Sequence, residues 1–303
     1  MIRGAAPGVP IAMTAPAPCL ADVMRLLTAA EAVAAIAADL AVRLEGAAVP
    51  GDIAARAAAV AALAAPGLSD APEPQQRATL GAIRALLRQA GDLVSAPTRP
   101  AGWSYDDPTL LDEQGRASRA FGPILAAQLA RLGPPPRGHR HVLDVGTGAG
   151  HLALGLAEAL PDAHVTGIDV WPPALACAHA NVARAGLGHR VTIAARDAAT
   201  LDERERYDLA WVPGPFLPAA TLAPILDGTR AALVPGGVVC FGLYAGPDDP
   251  LADAVIALRT ARSGGLPMIA ADAIAWIAGA GFRDVHEVPR TWALPLRLIA
   301  GRR

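Results

Sequence analysis

The chain has 303 residues, 53% of them apolar and 18% charged, and a formal net charge of −2. Every basic residue is an arginine, which excludes chemistry built on a phosphate-gripping or Schiff-base lysine. Glu31, Asp39, Arg43 and Arg56 break the apolar runs before they reach the roughly 18 residues of a membrane span. The three cysteines, Cys19, Cys177 and Cys240, are too scattered for a disulfide framework or a zinc site, which fits a reducing, cytoplasmic setting. The one dense basic cluster, "RGHRH" at 137–141, is too small for a nucleic-acid-binding face, so neither a nucleic acid nor a membrane is an expected partner.

In chain order, residues 1–18 are rich in Ala and Pro, and the prolines interrupt any signal-peptide core; a disordered leader is expected. Residues 19–97 carry helical periodicity in three stretches, "CLADVMRLLTAAEAVAAIAADLAVRL", "GDIAARAAAVAALAAPG" and "PEPQQRATLGAIRALLRQAGDLV". This helical domain is expected to act as a lid or to pair two copies of the chain. Residues 98–138 form a linker loop and a lid helix. The loop gathers Trp103, Tyr105, Asp106 and Asp107, and the aromatic pair either pins the linker to the core or lines a ligand pocket. Asp106 and Asp107 read as caps of the helix that follows, from about Pro108 or Thr109 through Leu132, before "GPPPRG" closes the segment.

From residue 139 to 303 strand and helix patterns alternate. Strands are expected at "HVLDV", "HVTGID", "RVTIAA", "YDLAWV" and "GGVVCFGLY", and the tail reads helix, strand, turn, strand. That order predicts an α/β fold: a seven-stranded, mostly parallel Rossmann-like sheet with an antiparallel last strand, behind an all-α N-terminal domain. Ligands of such sheets sit at the carboxyl ends of the strands.

At the first strand's end stands Asp144-x-Gly146-Thr147-Gly148-x-Gly150. A P-loop is excluded by the missing lysine, and the dinucleotide pattern G-x-G-x-x-G would put its third glycine where His151 stands. An acid ahead of glycines at every second position resembles motif I of the class I S-adenosylmethionine (SAM)-dependent methyltransferases, small-molecule type. Asp169, ending the second strand, resembles that family's ribose-binding acid, and Val170 and Trp171 stand where residues flank the adenine. Asp197 and Ala198 after the third strand resemble its adenine-binding pair. Asp208 and the Gly281-Phe282 pair also match; the resemblance spans about residues 140–299.

The resemblance implies SAM as cofactor, with Asp144 holding the methionine ammonium and the bare turn passing beneath the ligand. Gln114 and Ser118 on the lid helix are candidates for the methionine end. Pro213 and Phe216, after the fourth strand, are candidates for the acceptor wall, with Trp103. The family's amino-methylating members carry [DN]-P-P-[FY] here; this chain has Pro213-Gly214-Pro215-Phe216, so the polar residue that would hold a target amine is missing. His151, Tyr105 and Tyr244 are the candidate catalytic bases, none of them placed by a motif. Asp248 and Asp249 stand alone, so no metal is expected. The reading is an O- or N-methyltransferase for a small, largely apolar metabolite, forming a homodimer through the N-terminal helices. Alternatives are a methyltransferase for a protein or RNA amine, a SAM-binding protein without transfer activity, and a nicotinamide oxidoreductase.

Overall fold

The structure, a computed structural model, describes residues 18–129, 140–246, 248–292 and 294–303. The expected leader, apart from Pro18, and the expected end of the lid helix with its proline linker lie outside these residues. Two compact units divide between Ile83 and Arg84, inside a helix and earlier than the 97/98 boundary read from the sequence.

The first unit holds α1 (Pro18–Glu45), α2 (Gly51–Ala64) and the opening turns of α3 (Glu73–Ser95). Ile36, Leu40, Ala41, Ala61 and Leu80 form its core. A buried Gln76 ties the turn between α2 and α3: its amide donates to Ser69 O and Ala71 O, and its Oε1 accepts from Arg43. The front of α1 is uncovered, with Leu20, Val23, Met24, Leu26 and Leu27 all about half exposed.

The second unit is a three-layer sandwich. Its strands are β1 (Arg140–Val145), β2 (Ala163–Asp169), β3 (Val191–Ala195), β4 (Tyr207–Pro213), β5 (Leu233–Tyr244), β6 (Arg283–Glu287) and β7 (Leu296–Arg302). They lie in the order β3-β2-β1-β4-β5-β7-β6, with β7 antiparallel to both β5 and β6. The expected seven-stranded sheet with its antiparallel edge is therefore the fold. Parallel strands buried on both faces need near-continuous apolar runs, and successive residues divide cleanly between two cores. Val142, Leu209, Trp211, Cys240 and Leu298 face one, while Leu143, Ala210, Val212, Phe241 and Ile299 face the other.

The helices are α4 (Pro108–Arg119), α5 (Gly122–Leu129), α6 (His151–Ala159), α7 (Pro172–Arg184), α8 (Ala219–Ala232), α9 (Pro250–Arg262) and α10 (Ala270–Gly279). Asp107 caps α4, its carboxylate accepting from Thr109 N at 2.9 Å, and Asp249 caps α9 in the same way. The helix expected from 108 through 132 is two helices, broken at Ala120–Phe121. The break lets the chain settle against α6. A Cβ on Gly122 would lie 2.3 Å from Gly155 O, and one on Gly155 only 2.2 Å from Arg119 O. Gly155→Ala is expected to cost about 2 kcal/mol of stability, since small-to-large changes at backbone contacts force the elements apart; urea denaturation at constant m-value checks it.

The last turns of α3 belong to this second unit. Arg84 pairs with Glu113 of α4 at 2.6 Å, and Gln89 Nε2 donates to Gln114 Oε1 at 3.3 Å. Among the described residues, no helix is long and apolar enough to cross a membrane, and no cluster of metal-ligating side chains occurs.

Candidate functional site

The carboxyl ends of β1, β2, β4 and β5 bring the chemistry together. After β1 the chain turns through Gly146, Gly148 and Gly150, all at positive φ (+62°, +55° and +79°), a backbone that side chains strongly disfavour. Their surroundings differ. A Cβ on Gly146 would meet Pro213 Cγ at 3.2 Å, and one on Gly150 would meet Ala178 Cβ at 3.1 Å, whereas Gly148 faces nothing within 4 Å. Two of the glycines thus let β1, β4 and α7 close up, and Gly148 alone opens on free space.

Asp144 is 1% exposed. Its Oδ2 accepts from Thr147 Oγ1 at 2.7 Å, while Oδ1 is buried without a partner. Burial pushes its carboxyl up to about 7, against the Thr147 hydroxyl; the nearby Asp169 charge pushes the same way as burial. Thr147 is in turn fitted to β2, since a Cβ on Gly167 would lie 2.5 Å from its Oγ1. Asp169 closes the turn: its Oδ2 accepts from Gly148 N at 2.8 Å and its Oδ1 from Trp171 N at 2.9 Å. Each oxygen keeps a lone pair for a ligand. Val170 is 65% exposed. Trp171 is held by its indole, which donates to Tyr105 O at 2.7 Å. Asp197 caps the short turn 198–200 through Ala199 N at 2.8 Å, with Ala198 buried beneath.

Four of the aromatic candidates meet. Trp103 lies edge-on to Tyr105 (5.0 Å between centroids) and to Phe216 (5.8 Å), and Phe216 lies edge-on to Tyr244 (5.9 Å). The linker loop is thereby pinned to the sheet ends through a cluster of edge-on rings. Of the two readings of the Trp103–Tyr105 pair, these contacts bear on the pinning one.

The candidate bases change character. Tyr105 OH donates to Asp92 Oδ2 at 2.5 Å, and burial together with this bond raises its pKa. Burial drives Tyr244 up to about 12 against the opposing pull of Arg259, whose guanidinium stands 5.4 Å from the ring centre. At neutral pH both phenols keep their protons, and Tyr105 gives its own to Asp92. Tyr244→Phe is accordingly expected to lower turnover by less than about tenfold and to leave the pH profile unshifted, since loss of a general base costs 10²–10⁴-fold; steady-state rates across pH 6–10 check it.

His151 is 7% exposed and locked in place. Its Nε2 lies 2.8 Å from Asp112 Oδ1, which also accepts from Asn181 Nδ2 at 2.8 Å. Asn181 spends its other N–H on Ala149 O at 2.9 Å, so the Nε2 proton belongs to His151. His151 Nδ1 is buried without a partner. Asp112 Oδ2 takes Arg116 at 2.6 Å, and the His151 bond holds the Asp112 carboxyl far below the usual range. Asp112 and Asn181, which no motif marks, thus fasten α4 to the glycine turn and to α7. On α4 itself, Ser118 OH donates to Gly115 O and Gln114 is engaged by Gln89, so neither side chain is committed to the turn.

Comparison with known proteins agrees with this geometry. Residues 142–237 match the family of methyltransferase domains. The chain is 36% identical over 130 residues to a tRNA1(Val) (adenine(37)-N6)-methyltransferase of Porphyromonas gingivalis, covering 40% of this chain and 50% of that one. It is 37% identical over 144 residues to a trans-aconitate 2-methyltransferase of Streptomyces avermitilis, covering 44% and 51%. The chain thus spans about half the length of the curated relatives it matches. An O-methyltransferase family protein from Burkholderia thailandensis shares the fold at a TM-score of 0.64 and 18% identity, over 96% of this chain and 99% of that one. Residues 142–237 thus carry a methyltransferase domain, and the seven-stranded sheet around it has the fold of that O-methyltransferase family protein.

Proposed function

We propose that this chain binds S-adenosylmethionine at the glycine turn and methylates a small, flat, largely apolar acceptor at oxygen or nitrogen. One observation carries the reading. A buried carboxylate oxygen without a partner, Asp144 Oδ1, lies at the same sheet end as the open face of Gly148 and the Trp103–Phe216–Tyr244 rings. An unpaired buried acceptor costs about 1–3 kcal/mol unless a donor reaches it, and the ammonium of the methionine part is such a donor.

Asp169 would hold the ribose hydroxyls with its spare lone pairs, Val170 and Trp171 would flank the adenine, and Asp197 with Ala198 would meet its edge. When bound, the cofactor supplies a sulfonium methyl already activated for in-line displacement. The protein's share is alignment, which accounts for several kcal/mol in well-oriented reactions, and exclusion of water by α4. With both tyrosines protonated, the acceptor atom brings its own lone pair, as a phenolate or an uncharged amine does. Pro213 and Phe216 make an apolar wall with no polar group for a nucleobase amine.

A second reading, transfer to a macromolecular amine, draws on the P. gingivalis relative's name, a tRNA adenine methyltransferase. The exposed apolar front of α1 supports a homodimer, and three scattered, unpaired cysteines support a cytoplasmic setting. A panel of aromatic alcohols, amines and carboxylates incubated with SAM, read as S-adenosylhomocysteine formed, tests the proposal. Turnover on a small acceptor is expected; turnover only on tRNA or protein would favour the second reading.

A further inference from the structure

A cavity of about 250 Å³ lies between the end of α3, the loop from 96 to 105 and the end of α9. About 150 Å³ is enough to hold a benzene ring, so a single or fused ring fits. Trp103 is one of its walls and reaches Phe216 on the side of β4, which joins the cavity to the aromatic cluster described above. Tyr105, another wall, carries Trp171 on its backbone carbonyl.

Charge in this cavity is unbalanced. Asp92, the acid in its wall, is already taken: Arg99 Nη1 donates to its Oδ2 at 2.6 Å beside the Tyr105 hydroxyl, and Arg99 also stacks 3.8 Å over the Tyr105 ring. Arg262, in the last turn of α9, donates one Nη2 proton to a neutral group, Gln89 O, and makes no ion pair among the described residues. Its own carbonyl accepts from Gly102 N at 2.9 Å, which fixes the backbone that carries it. A guanidinium has five N–H donors in a planar fork suited to two oxygens at once. Arg262 therefore presents unspent donors and an uncompensated positive charge at the edge of an apolar, ring-sized space.

We infer that the acceptor is an aromatic acid whose carboxylate is read by Arg262 while its ring lies against Trp103. The inference rests on the proposed methyltransferase function and narrows it. Arg262 is then a specificity-determining residue, remote from the methylated atom.

The test is calorimetry on the full chain saturated with S-adenosylhomocysteine, titrated with 2- and 4-hydroxybenzoate and with the uncharged hydroxybenzamides of the same shape. At least one hydroxybenzoate is expected to bind at least tenfold tighter than its amide, as a charge-assisted pair requires. Arg262→Met is expected to erase that preference and Arg262→Lys to keep part of it, with S-adenosylhomocysteine affinity the same in all three proteins. Equal binding of acid and amide, binding of neither, or a preference that survives Arg262→Met overturns the inference alone. Failure of S-adenosylhomocysteine to bind overturns the methyltransferase reading and this inference with it.

Discussion

Asp144→Asn is expected to make the protein more stable at pH 8 and a weaker binder of SAM. The Asp144 carboxyl is 1% exposed and pushed up to about 7 by burial. The folded chain therefore keeps a proton that the unfolded chain gives up near pH 4, so stability falls as pH rises between about 4 and 7 and stays low above. Asparagine has the same shape and no charge to desolvate; it is expected to flatten the profile and to add about 3 kcal/mol at pH 8. Binding moves the other way. A cationic ammonium needs the ionised carboxylate, so wild-type affinity is expected to rise about tenfold per pH unit up to about pH 7 and then level off. The variant is expected to bind about 10–100-fold more weakly at pH 8, with no such slope. Urea denaturation and calorimetry from pH 5 to 8 check both; parallel stability profiles for the two proteins would contradict the account of Asp144.

Asp112→Ala is expected to unfasten α4. The carboxylate collects His151, Asn181 and Arg116 from three elements. Removing it leaves buried donors unsatisfied, a loss of about 3 kcal/mol by the behaviour of broken buried pairs. Because His151 begins α6 and Asn181 holds Ala149 O, the looseness is expected to reach the glycine turn and raise the KM for SAM about tenfold, with a smaller change in kcat. Asp112→Asn keeps the shape and an acceptor for Asn181, and is expected to fall between. Hydrogen exchange of the α4 amides separates the two effects: faster exchange in the alanine variant is expected, and unchanged exchange would contradict the fastening role.

How much of this could be read from the sequence follows from local physics. The strands were legible because a parallel sheet covered on both faces needs runs such as "HVLDV" and "YDLAWV", and the glycine turn because positive φ demands glycine at 146, 148 and 150. Asp107 was legible as a cap because it precedes a proline and an apolar run. The break between α4 and α5 was not, since Gly122 is required by Gly155, a residue 33 positions away that only packing brings near. Asp112 reads as an ordinary polar-face acid with Arg116 four residues on. Arg262 reads as a cation complementing a helix end. Tyr105 and Tyr244 looked like bases because a sequence lists hydroxyls but not the burial and the Asp92 bond that hold their protons. The unit boundary at Ile83–Arg84 was hidden because one continuous helix serves both units.

The central claim is that the turn of Asp144, Gly148 and Asp169 is built for S-adenosylmethionine. Calorimetric titration of the full chain with S-adenosylhomocysteine at pH 8 tests it most directly. One site per chain is expected, strongly weakened by Asp169→Ala. No binding of S-adenosylhomocysteine, with binding of NAD instead, would contradict it.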